Sequence, residues 1–121
     1  MTTLTRIQLG ALGEQLAVGH LTSLGLRIIA RNWRCRYGEI DVIAEDADRT
    51  VVFVEVKTRT GDGFGGLAHA VTPQKVRRLR RLAGVWLAGQ EQRWPAIRLD
   101  VVGVRVGRRR EPEVFHLQGV C

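Results

Sequence analysis

The chain reads as an α/β sandwich, a central mixed sheet flanked by helices, with its elements in the order helix, three strands, helix, strand. Three observations predict this. Apolar residues recur at helical spacing from Leu9 to Leu24 and again from Val76 to Leu87. Between and after those stretches lie runs rich in β-branched and aromatic residues: Leu26 to Arg34, Gly38 to Ala44, Val51 to Lys57 and Ile97 to Val106. The middle two runs are joined only by the polar segment Glu45 to Thr50, which makes them a hairpin and the heart of an antiparallel meander.

The first helix opens at Thr5-Arg6-Ile7-Gln8, which suits a capping box, and Gly25 is a suitable stop. Its expected apolar stripe is Leu9, Leu12, Leu16, His20 and Leu24, with His20 read as a packed residue rather than a ligand. Gly10, Gly13 and Gly19 weaken the helix and point to close packing. Leu26 to Arg34 is the first strand, with Trp33 packing in the core or at the sheet edge. After Lys57 the chain loosens into a glycine-rich loop, Thr58 to Gly66, expected to be mobile beside the active site. That loop matches GxGxxG at Gly61, Gly63 and Gly66, but a dinucleotide fingerprint needs a helix to open within the glycines, and the next helix signal is Thr72-Pro73.

The second helix runs from Thr72 to about Gln90 and buries Val76, Leu79, Ala83, Trp86 and Leu87. Arg77, Arg78 and Arg81 are expected on the opposite side, with Lys75 and Arg80 on the flanks and no acid among them. Such a run is either a solvated face or a surface that tracks phosphates. Ile97 to Val106 is a strand, Gly107 to Pro112 a basic turn, and Glu113 to Leu117 a short edge strand whose start tolerates Pro112.

The 121 residues fit a single domain spanning 1–121, without repeats or low-complexity tracts. Cys35 and Cys121 form neither a CxxC pair nor a disulfide framework, which argues against structural zinc and suits a reducing compartment. No apolar run approaches the roughly 18 residues of a membrane span, and the N-terminus lacks a signal-peptide stretch, so the expected location is the cytoplasm, away from any membrane. A net charge of +7 points to a polyanionic partner.

The hairpin carries the chemistry. Alternation of side chains is expected to put Asp41 on a face with Glu39 and Ile43, and Glu55 and Lys57 on a face with Val51 and Phe53. Charges in otherwise apolar strands must be paired, solvated in a cleft or bound to a metal. A plain Glu55–Lys57 ion pair on a solvated sheet surface is one reading. The other is a hydrolytic metal site: an aspartate on one strand and Glu-x-Lys on the next let two carboxylates share a hard cation, magnesium or manganese, with a lysine aimed at the same spot.

These residues resemble the active-site core of the PD-(D/E)XK nuclease superfamily, with Asp41, Glu55 and Lys57 in the signature positions and Ile40 where the signature's name has proline. Within it the chain most closely resembles the YraN family, similar to the archaeal Holliday junction resolvases. The matching stretches are Leu12-Gly13-Glu14, Asn32-Trp33-Arg34, Gly38-Glu39-Ile40-Asp41, Val54-Glu55-Val56-Lys57 and Arg98-Leu99-Asp100-Val101-Val102. The resemblance implies a restriction-endonuclease-like αβββαβ sandwich and a metal-dependent endonuclease acting on DNA, including branched or structured DNA. It implies Mg²⁺ or Mn²⁺ held by Asp41, Glu55 and the backbone carbonyl of Val56, with Glu14 completing the site directly or through water. Lys57 would orient the attacking water, Lys75, Arg77, Arg78 and Arg81 would contact nucleic acid, and Gln74 is a further polar candidate. Related resolvases act as two-fold dimers, so a homodimer is implied as well. The superfamily also contains members that bind without cutting, which leaves a nucleic-acid-binding or partner-binding module as the alternative.

Overall fold

The computed structural model describes residues 4–60, 71–107 and 111–120. The β-branched runs pair into one five-stranded sheet in the order β1-β2-β3-β4-β5, formed by β1 (Arg27–Cys35), β2 (Gly38–Glu45), β3 (Thr50–Thr60), β4 (Ala96–Val106) and β5 (Glu113–Leu117). Helix α1 (Arg6–Ser23) precedes β1, and α2 (Pro73–Ala88) connects β3 to β4. The β1–β2, β2–β3 and β4–β5 pairs are antiparallel, whereas β3–β4 is parallel, so the sheet is mixed as expected. Among the described residues no helix is long and apolar enough to cross a membrane.

Two apolar layers hold the sandwich. On one face Ala17 and Leu21 of α1 pack on Val42, Ala44, Val52, Val54, Val102 and Val104; on the other Leu79, Leu82, Ala83 and Trp86 of α2 pack on Ile40, Ile43, Val51, Phe53 and Leu99. Both helices begin on side-chain caps. Thr5 and Gln8 form the reciprocal capping box, and the Thr72 hydroxyl accepts from the Lys75 N–H at 3.2 Å.

Three details differ from the sequence reading. The buried line of α1 is Gly13, Ala17 and Leu21, with Leu9, Leu16 and His20 half-buried beside it and Leu24 50% exposed. Small residues win the centre because the helix lies close to β3: a Cβ at Gly13 would stand 1.9 Å from the Thr58 hydroxyl oxygen. Strand β3 does not loosen after Lys57 but continues to Thr60, because its parallel register with β4 persists to the Thr60–Val106 pair. Helix α2 ends at Ala88, two residues short of Gln90. The glycine-rich matches at Gly61, Gly63 and Gly66 and the arginines of the basic turn at 108–110 lie outside the described residues.

Candidate active site

The β2–β3 ladder stops one step before the acids. Its last pair is Val42 with Val54, and continuing that register would set Asp41 opposite Glu55. The strands part there instead, and Asp41 Oδ2 accepts the backbone N–H of Val56 at 2.7 Å. In a strand a residue's N–H and C=O point to the same edge, so the Val56 carbonyl also faces the gap.

The local backbone also changes which face each acid uses. Ile40 and Ile43, three residues apart, both belong to the α2-side core, so strict alternation breaks between them. Facing this break on β1 is Asn32, in the left-handed region at φ 52°, a conformation that asparagine tolerates better than most residues. Asp41 consequently parts company with Ile43 and joins Glu39 in lining a cleft of about 400 Å³ on the α1 side, correcting the expectation that Asp41 and Ile43 share a face. Arg6, Leu9, Gly10 and Glu14 of α1 form one wall; Val56, Lys57, Thr58 and Arg59 of β3 form the other.

Inside this cleft Asp41 is largely desolvated. Its carboxyl is pushed up from 3.8 to about 6, first by burial, with the Glu39 and Glu55 carboxylates adding to the rise and the Val56 hydrogen bond opposing it. The other two acids are already engaged. Glu14 Oε1 accepts from Asn32 Nδ2 at 2.8 Å and from Arg31 Nε at 3.1 Å. Glu55, whose side chain is only 13% exposed, bonds Arg78 Nη2 at 2.8 Å, with Lys57 Nζ 3.7 Å away from the same oxygen. Glu14, Asp41, Lys57 and Val56 thus share the cleft, while Glu55 lies beside it, bound toward α2.

The basic helix is likewise more occupied than its sequence suggests. Arg78 does not project away from the sheet but reaches Glu55, and Arg81 stacks on Tyr37 at 4.1 Å, with Arg36 on the same ring at 5.0 Å. Gln74 and Arg77 are exposed and Lys75 is half-buried. The spacing of two already sets Glu39 on the face of Asp41, although it is not among the expected site residues; sequence reasoning missed Arg31 and Asn32 as the holders of Glu14 and Arg78 as the partner of Glu55, which join segments distant in the chain and left no local signal.

A hard divalent ion fits the donor types of this site, since Asp41, Glu39, Glu14 and the Val56 carbonyl are all oxygen ligands. The spacing fits less well. Among the described residues no three Asp, Glu, His or Cys side chains converge closely enough to hold an ion, with Glu14 and Glu55 both drawn to guanidinium groups.

The sequence profile of the uncharacterised protein family UPF0102 matches residues 13–104. A UPF0102 protein of Mycobacterium avium is 76% identical over 120 residues, covering 98% of this chain and 94% of the relative. One from Mycobacterium ulcerans is 74% identical over 121 residues, covering 99% of both, and one from Mycobacterium tuberculosis is 73% identical over 124 residues, covering 99% and 97%. Among solved structures, a repair endonuclease from Pyrococcus abyssi matches at a TM-score of 0.43 and 19% identity, over 88% of this chain and 39% of that protein.

Proposed function

This chain belongs to the UPF0102 family, and from that premise we propose that it is a metal-dependent phosphodiester hydrolase acting on DNA, with branched or structured DNA as the substrate class. The observation that carries the proposal is Asp41, a desolvated carboxyl placed where two strands part, in a cleft it shares with Lys57 and near enough to Glu55 for that carboxylate to raise its proton affinity. Structural acids in a sheet are ordinarily matched by cations or by donors; this one faces two further acids, one of them hydrogen-bonded to it, and one backbone N–H.

Asp41, Glu55 and the Val56 carbonyl would hold Mg²⁺ or Mn²⁺, with Glu14 or Glu39 reaching it directly or through water. Such an ion supplies a water of lowered pKa and a positive charge for the developing phosphorane. Lys57 has the remaining chemical task. Its side chain, 22% exposed and lining the cleft, orients the water and offsets the negative charge that accumulates on phosphorus. Exposed Arg77, together with Lys75, Arg78 and Arg81, binds the phosphates of the flanking backbone.

A non-catalytic nucleic-acid-binding module is the second reading, favoured by the ion pairs that already engage Glu14 and Glu55. One experiment separates the two: duplex, single-stranded, flap and four-way DNA are incubated with wild type and Lys57→Ala in magnesium, manganese or chelator. Hydrolysis predicts metal-dependent cleavage by wild type and DNA binding without cleavage by the variant. Cleavage of no substrate under any metal condition, with binding intact, leaves the binding module.

A further inference from the structure

We infer that Tyr37, with Arg36 and Arg81, is a stacking platform for an unpaired base of a DNA strand. The inference rests on the nucleic-acid reading of the chain and names the feature of DNA that this surface recognises; it holds whether or not the cleft cuts.

Arg36 and Tyr37 are the two residues between β1 and β2, and the Cys35–Gly38 pair closes the turn around them. Neither is a residue that tight hairpin turns favour, so turn geometry does not account for their presence. The turn sits against α2: a Cβ at Gly38 would stand 3.5 Å from Leu82 Cδ1, and the Arg81 guanidinium lies 4.1 Å from the centre of the Tyr37 ring. Arg36 reaches the same ring at 5.0 Å, yet Tyr37 remains 40% exposed.

Charge decides what this surface takes. Among the described residues neither Arg36 nor Arg81 pairs with a carboxylate, and Arg77, exposed one turn before Arg81 on the same helix, does not either. Two guanidiniums on one ring repel each other, and an anion relieves them. A nucleotide supplies both halves, a flat base for the ring and a phosphate for a guanidinium. An exposed cation–π contact is weaker than a base stacked on an aromatic side chain, so a base displaces the looser Arg36, which turns to the adjoining phosphate. Bases inside a duplex have both faces covered by their neighbours, so the platform selects unpaired ones.

The platform also lies at the right end of the sheet. Strand β2 starts at this turn and runs antiparallel to β3, which places the turn at the end where Lys57, Thr58 and Arg59 line the cleft. Asp41 follows four residues along β2, about 13 Å away.

Tyr37 is the only tyrosine of the chain, so its ring resonances report on the platform alone. Protein labelled at the tyrosine ring is titrated, in chelator to prevent hydrolysis, with a short mixed-sequence single strand and with a blunt duplex of the same length. The ring resonances should move upfield with the single strand and stay in place with the duplex. Tyr37→Ala should weaken single-strand binding about tenfold and leave duplex binding within about twofold, while Tyr37→Phe, which keeps the ring, should bind both as wild type does. Melting curves of the three proteins identify a variant that merely loosens the turn. DNA binding that leaves the ring resonances unmoved, or a Tyr37→Ala protein weakened equally toward both DNAs, overturns the platform while the nucleic-acid reading stands. Failure of wild type to bind either DNA overturns both.

Discussion

Two aspartates of this sheet face the same physical problem and meet it differently. Asp100 on β4 is fully buried, and its carboxylate is saturated: Arg98 bonds both oxygens at 2.9 Å, His116 Nε2 lies 2.7 Å from one and the Gly119 N–H donates to the other at 3.0 Å. His116 in turn contacts His20 of α1 at 3.1 Å, so this acid ties helix, sheet and C-terminal tail together. Asp41 on β2 has one backbone N–H against burial and two acidic neighbours, and burial first, then those acids, raise its proton affinity. The difference teaches how to tell a structural acid from a reactive one. Burial alone does not distinguish them, because the more buried aspartate is the better satisfied; what does is the sign of the surrounding charge.

Removing the satisfied acid should have the largest effect. Asp100→Ala leaves the Arg98 guanidinium, His116 and the Gly119 N–H without their common acceptor, and losing one partner of a buried ion pair costs about 3–5 kcal/mol. Chemical denaturation should show a loss of that order; a variant as stable as wild type would mean that the network contributes nothing.

Removing the unsatisfied acid should have the opposite sign. With a folded pKa of about 6 against 3.8 when free, Asp41 contributes stability that is full below about pH 4 and is lost as pH rises through 6. Asp41→Asn keeps an acceptor for the Val56 N–H and carries no charge. It should be more stable than wild type above pH 7, on the order of 2 kcal/mol, and equal to it near pH 3.5. Melting temperatures of both proteins across that range check the sign, and a variant destabilised at pH 8 would place Asp41 among the structural acids.

The smallest effect sharpens the cause. Glu39→Gln removes one of the two like charges but not the burial, which is the largest contributor. The pH midpoint of the Asp41-linked stability change should move part of the way back toward 3.8, with a gain above pH 7 of less than about 1.4 kcal/mol. An unmoved midpoint would remove Glu39 from the site.

Much of this architecture was legible in the sequence, and the failures share one cause. Thr5 and Gln8 mark the start of α1, Thr72 and Pro73 that of α2, and the β-branched runs mark the strands, because those signals act over a few residues. The extension of β3 to Thr60 depends on its parallel partner β4, 46 residues further along the chain, and could not be read from Thr58-Arg59-Thr60 alone. The centre of α1 was misplaced because leucines outweigh Gly13 and Ala17 in any apolar count, whereas the close approach of Thr58 selects the small residues. At the site, Asp41, Glu55 and Lys57 were chosen from their spacing, but the left-handed turn at Asn32 and the break in alternation between Ile40 and Ile43 send Asp41 to the face opposite the one that strict period two assigns. The partners of Glu14 and Glu55 lie 17 to 23 residues away, at Arg31, Asn32 and Arg78, and only the folded chain brings them together.

The account turns on Asp41 being an acid in want of a cation, and its side-chain carboxyl resonance, followed by ¹³C NMR across pH with and without saturating Mg²⁺, tests that directly. The midpoint should lie at about 6 in the absence of the ion and fall when Mg²⁺ is added, because a bound cation favours the charged form. A midpoint near 3.8 in both conditions, or one near 6 that Mg²⁺ leaves in place, would contradict it.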